Sequence, residues 1–129
     1  MKPGDVFYHR NCTGIQHMMI VLADSPETNE TFLVSISTFK PYKDSTCIIV
    51  QSDYPLVQHK SCVEYDRALT ANRATVARQI NLGHITVGLP PISQALLQRV
   101  TAGVFKSDRV KPDERTKLKR LLHYNEALS

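Results

Sequence analysis

Cysteine is scarce in this sequence and unevenly paired: Cys12, Cys47 and Cys62 are an odd set, and no two of them form a Cys-x-x-Cys pair. That excludes a disulfide framework, points to a reducing compartment, and leaves buried small apolar side chains as the default role. A zinc site has one pattern to draw on, His9-x-x-Cys12 with His59-x-x-Cys62, but lacks the Cys-x-x-Cys knuckle that usually marks such sites. No apolar run nears the roughly 20 residues needed to cross a bilayer, and the opening MKPGDVF has no basic stretch followed by a hydrophobic one. The expectation is a cytoplasmic chain with no membrane partner. Also missing are a phosphate-cradling glycine loop, H-E-x-x-H, G-x-S-x-G and a dinucleotide fingerprint, so the well-marked enzyme classes drop out and no cofactor is expected.

What is present is ordinary globular material. The chain has 129 residues, 42% hydrophobic and 22% charged, which suits one domain and is too apolar for disorder. We read residues 1–107 as a barrel with packed helices and 108–129 as a basic C-terminal helix appended to the same domain. The net charge of +4 lies at that end: residues 106–120 hold seven basic side chains against three acidic ones, and the remainder balances at nine and nine. A cationic segment of this kind suits a polyanion, since each phosphate contact releases counterions; it equally suits the solvated face of a terminal helix.

Character changes near residue 70. Before it, Asp5 to Arg10, His17 to Ala23, Thr31 to Ser37, Thr46 to Val50 and Ser61 to Ala68 read as five short strands separated by turn-rich loops. Phe32, Val34 and Ile36 fall on one face of their strand, with Leu33, Ser35 and Ser37 on the other. Beyond it, Asn72 can cap a helix over 73–82 that stops at Gly83. Ile92, Leu96, Val100 and Val104 recur every four residues, giving a helix to about Ser107 whose stripe must lie on the sheet or on a partner. Pro112, Asp113 and Glu114 suit the first turn of a last helix with Leu118, Leu121 and Leu122 as its apolar face. The fold class is α+β, mainly β with C-terminal helices. With no crossover helices between early strands, the sheet is antiparallel, and a small strongly bent barrel would remove its edges by closing.

Cleavage of RNA without a metal needs a base for the 2′-hydroxyl proton, an acid for the departing 5′-oxygen, and donors for the phosphorane oxygens. His17 and His59 can fill the proton roles, Ser37 and Thr38 can donate from hydroxyls, and Lys60 can supply a cation, provided that the loops converge. Tyr54 and Tyr65 can stack on bases, or fill a core that needs aromatics. Each residue also has a purely structural role open to it: His17 beside Met18 and Met19 as a packed histidine, His59 as an exposed loop residue, and Ser35, Ser37 and Thr38 as strand residues bonding backbone or solvent.

Pro3-Gly-Asp-Val-Phe-Tyr8, the strand His17-Met-Met-Ile-Val-Leu22 after a glycine-containing loop, and Leu33-Val-Ser-Ile-Ser-Thr38 together resemble the start of the PemK/MazF-like toxins of toxin-antitoxin pairs. The resemblance covers residues 3–38 in order and 61–105 by element pattern. It implies a barrel of the Src-homology-3-like, plasmid-toxin type, a homodimer, metal-independent endoribonuclease activity on single-stranded RNA, and neutralisation by an antitoxin-like protein partner. Ser37 and Thr38 match the family's Thr/Ser position. The family's catalytic arginine lies in an Arg-Pro step that here reads Gln16-His17, so either His17 substitutes for it with His59, or the scaffold persists without the nuclease.

The substrate-binding residues expected for the nuclease are Lys60, Tyr65, Lys117, Lys119 and Arg120. Two further readings use other surfaces. A non-catalytic module would bind nucleic acid or a protein through the basic helix, with Lys117, Lys119 and Arg120 as contacts. An adaptor would dock through the stripe from Ile92 to Val104.

Overall fold

The structure, a computed structural model, describes residues 1–10 and 16–128, with residue 16 and residues 124–128 described by backbone alone. Six strands and three helices run in the order β1 (Val6–Arg10), β2 (Gln16–Ser25), β3 (Glu30–Thr38), β4 (Ile48–Ile49), β5 (Ser61–Asn72), α1 (Arg73–Asn81), β6 (Ile85–Thr86), α2 (Gln94–Lys106) and α3 (Pro112–Leu128). The strands form one antiparallel sheet in the spatial order β4-β5-β3-β2-β1-β6.

Two irregularities curl this sheet. The pairing of β2 with β3 slips between Val21 and Ala23, and in the β3–β5 ladder the segment from Tyr65 to Ala68 stands against Val34 alone. Extra residues on one strand increase its local twist and bend it. The expected closure is not found: among the described residues nothing pairs β4 with β6, and the sheet is a curled half-barrel with two open edges. The edge strands are only two residues long, β4 pairing with Ser61 and Cys62 of β5 and β6 with Tyr8 and His9 of β1. The sixth strand escaped the sequence reading because Ile85–Thr86 is defined by its pairing with Tyr8 and His9 and has no periodicity of its own.

Helix ends follow local chemistry. The Asn72 side chain accepts from the Thr75 N–H and opens α1, Gly83 follows its end at φ 79°, and the Ser93 hydroxyl accepts from the Leu96 N–H to open α2. The main core lies between one sheet face and helices α2 and α3, where Ile20, Phe32, Val34, Val63 and Tyr65 meet Leu96, Val100, Val104, Leu118 and Leu121. The stripe from Ile92 to Val104 is therefore interior, and the adaptor reading built on it is corrected: its partner is this chain's own sheet. Helix α3 is likewise part of this core, since Leu118 and Leu121 are buried in it. A smaller cluster on the opposite face packs Phe7, Met19, Val21 and Leu33 beneath Val76 of α1. Among the described residues, no helix is long and apolar enough to cross a membrane.

Candidate functional site

Helix α1 covers only part of the second sheet face. Continuing along the same face, the strands present His17 on β2, Ser35 and Ser37 on β3, and Cys62 and Glu64 on β5. Met18 pairs with Ile36 and Ser37 pairs with Cys62, so His17, Ser37 and Cys62 form a polar row across three adjacent strands. His9 stands directly opposite His17 on β1.

A cavity of about 620 Å³ opens at this end of the sheet, and its walls include His17, Ser37, Thr38, Lys43 and His59. The two imidazoles, separated by a long stretch of chain, thus face one concave surface together with both hydroxyl residues named from the sequence. None of the described wall residues is acidic. His59 reaches the groove on a loop that is anchored at several points. Asp53 accepts from the Val50 N–H at 2.9 Å and from Arg99 of α2 at 3.1 Å, and the Tyr54 hydroxyl donates to the Pro90 carbonyl at 2.6 Å. The Val50 N–H and the Arg99 guanidinium hold the Asp53 carboxyl below its ordinary range. The loop then joins the end of β3 through Phe39 N–H to the Lys60 carbonyl, 2.8 Å, while the Ser61 hydroxyl donates to the His59 carbonyl at 2.7 Å.

Sequence reasoning placed the cation at Lys60. In the structure Lys60 is exposed and its ammonium lies 5.1 Å from the centre of the Phe39 ring, outside the described wall of the groove. Lys43 lines the groove instead: its ammonium donates to the Ser37 hydroxyl and to the Thr38 carbonyl, each at 2.9 Å, and among the described residues it pairs with no carboxylate. In sequence, Lys43 was one residue of a turn; nothing local distinguishes it from Lys40.

Tyr65 requires correction as a stacking residue. It is 0% exposed, and its hydroxyl donates to the Val100 carbonyl at 2.7 Å, so no ring face is open to a base. Burial also keeps its phenol protonated. Tyr54 is buried in the same way. Lys117, Lys119 and Arg120 are not brought to the groove. Arg120 grips both oxygens of Glu30, at 3.0 and 3.1 Å, and Lys117 faces Glu114 at 3.7 Å. Glu30 begins β3 and Thr38 ends it, which separates the two by roughly 25 Å of strand.

Cys62 is no nucleophile here: burial raises its thiol pKa, a shift that the Ser37 hydrogen bond and the Lys43 charge only partly offset. Among the described residues no group of three His, Cys, Asp or Glu side chains is arranged to hold a metal, and Cys12 of the His-x-x-Cys pattern lies outside the described residues. No family model, no curated protein and no solved structure matches this chain.

Proposed function

We infer that this protein is an endoribonuclease that cleaves single-stranded RNA without a metal, on a half-barrel of the Src-homology-3-like, plasmid-toxin type. The observation that carries the reading is the meeting of His17 and His59 with Ser37 and Thr38 around one groove whose described walls hold no acidic residue. A neutral imidazole takes the proton from a 2′-hydroxyl, whose oxygen attacks the adjacent phosphorus. The bond from phosphorus to the 5′-oxygen breaks, and the second imidazole, protonated, gives its proton to that oxygen. The products are a 2′,3′-cyclic phosphate and a free 5′-hydroxyl. Lys43 and the Ser37 and Thr38 hydroxyls face the charge that grows on the phosphorane, where preorganised donors contribute most.

Following the resemblance to PemK/MazF-like toxins, the protein acts in the cytoplasm as a homodimer and is held inactive by an antitoxin-like partner. Purified protein incubated with single-stranded RNA and excess chelator should yield fragments with cyclic phosphate ends. His17→Ala and His59→Ala should each lower the rate by about 10² to 10⁴ while leaving the circular dichroism spectrum unchanged. Intact RNA with the wild-type protein, or full activity in both variants, would refute the assignment.

A further inference from the structure

A second cavity of about 430 Å³ adjoins the first and shares His17, Ser37 and Lys43 with it. Its charge differs. Where the first has no acidic residue among its described walls, this one includes Asp44, Glu64 and Asp66, with Arg67 and Arg109 as its cations besides Lys43. Three carboxylates here are matched by three cations, so the wall has no net charge to draw a phosphate, whereas its carboxylate acceptors suit the edge of a nucleobase that carries an N–H group.

Besides the exposed Asp66, one carboxylate of this wall keeps room for that contact. Asp44 is already committed, accepting from Thr46 and from Ser107. Glu64 is not. Its Oε1 accepts from the Ser35 hydroxyl at 3.2 Å, and its Oε2 lies 3.8 Å from Arg67 Nε, beyond hydrogen-bond length, so the carboxylate keeps acceptor capacity facing the cavity. At the rim stands Tyr42, 76% exposed, with its backbone carbonyl held by Arg109 at 3.2 Å. An aromatic ring left this open beside a polar cavity has no core role and offers a stacking face.

We propose that this second cavity is a base subsite, in which Tyr42 stacks on one base of a single strand and Glu64 accepts from its exocyclic amino group, so that the groove selects cytosine or adenine over uracil next to the phosphate held at Lys43. The subsite rests on the reading of the groove as a single-strand RNA site. Cytosine and uracil make the discriminating pair, because position 4 is a donor amine in one and an acceptor oxygen in the other, with N3 reversed from acceptor to N–H donor.

The test is equilibrium binding of fluorescent, non-cleavable 2′-deoxy hexamers, one of cytosine and one of uracil bases, to the full chain and to Tyr42→Ala and Glu64→Gln. The wild type should bind the cytosine hexamer about tenfold more tightly. Glu64→Gln should bring the two within about twofold, since an amide can serve either edge. Tyr42→Ala, at an exposed turn position, should weaken both about tenfold and leave their ratio intact. Equal affinities in the wild type, a ratio unchanged by Glu64→Gln, or no binding of either hexamer would overturn the subsite. Cytosine-selective binding by a protein that leaves RNA intact in chelator would overturn the nuclease and leave the subsite standing.

Discussion

The ammonium of Lys43 lies 2.9 Å from the hydroxyl oxygen of Ser37 and donates to it. The turn before β4 is thereby tied to the end of β3, and a cation sits where the two cavities meet. Two hydrogen bonds to neutral oxygens do not cancel its charge, so the site attracts an anion. Lys43→Met should lower RNA cleavage by about 10²-fold, the usual cost of one transition-state donor. Lys60→Met, beside Phe39, should change it by about twofold at most, as expected for an exposed side chain away from the reacting atoms. Steady-state rates on one oligonucleotide decide between the two lysines.

The same geometry separates the groove from the basic helix. Neutralising Lys117, Lys119 and Arg120 together should alter RNA affinity by no more than about twofold, because Arg120 is engaged with Glu30 at the far end of β3. Lys43→Gln should reduce the slope of log affinity against log salt by about 0.7, the value for one phosphate contact on a single strand. Salt titrations of both proteins would show which surface meets the strand.

Asp44 links the turn to the end of α2. Burial raises its pKa, but hydrogen bonds from Ser107 and Thr46 and the charge of Arg109 outweigh burial and hold it below the ordinary range. The ionised form therefore adds stability that is fully present above the ordinary carboxylate pKa of about 3.9 and is lost as pH falls through the depressed value. Asp44→Asn should cost about 2 kcal/mol near neutrality. That deficit should shrink below about pH 4, as urea unfolding across a pH series would reveal.

Gly103 of α2 faces the Tyr65 ring, and a β carbon there would collide with its hydroxyl and ring carbons. Gly103→Ala should destabilise the fold by about 3 kcal/mol through overpacking. Combined with Tyr65→Leu, it should cost less than the sum of the single changes, because the shorter side chain vacates the contested space. Thermal unfolding of the three variants measures this.

Arg99 fastens the His59 loop to α2 through Asp53 and the Ile48 carbonyl. Arg99→Met should lower the turnover of RNA several-fold with a smaller effect on its binding, since a loosened loop misplaces one imidazole while leaving Lys43 in position. Separate determination of kcat and KM tests this positioning role.

Much of this molecule could be read along the chain. Alternation at β3, the cap at Asn72, the four-residue recurrence from Ile92 to Val104, and the acidic first turn at Pro112 are local signals that the two backbone periods and the helix-end chemistry impose directly. His17, Ser37, Thr38 and His59 were also nameable, because their side-chain types suit proton transfer and their positions fall at strand ends and loops. Distance was not legible. β6 exists only as a partner of β1, β4 was legible as Thr46 to Val50 but pairs over Ile48–Ile49 alone, and the curl that leaves the sheet open arises at the Val21–Ala23 slip and where Tyr65 to Ala68 bulge against Val34. Whether Lys43 or Lys60 reaches the groove, and whether Tyr65 or Tyr42 shows its ring to solvent, depends on how residues far apart in sequence pack in three dimensions. Propensity acts over a few residues, but burial and charge environment are sums over neighbours that only the folded chain assembles.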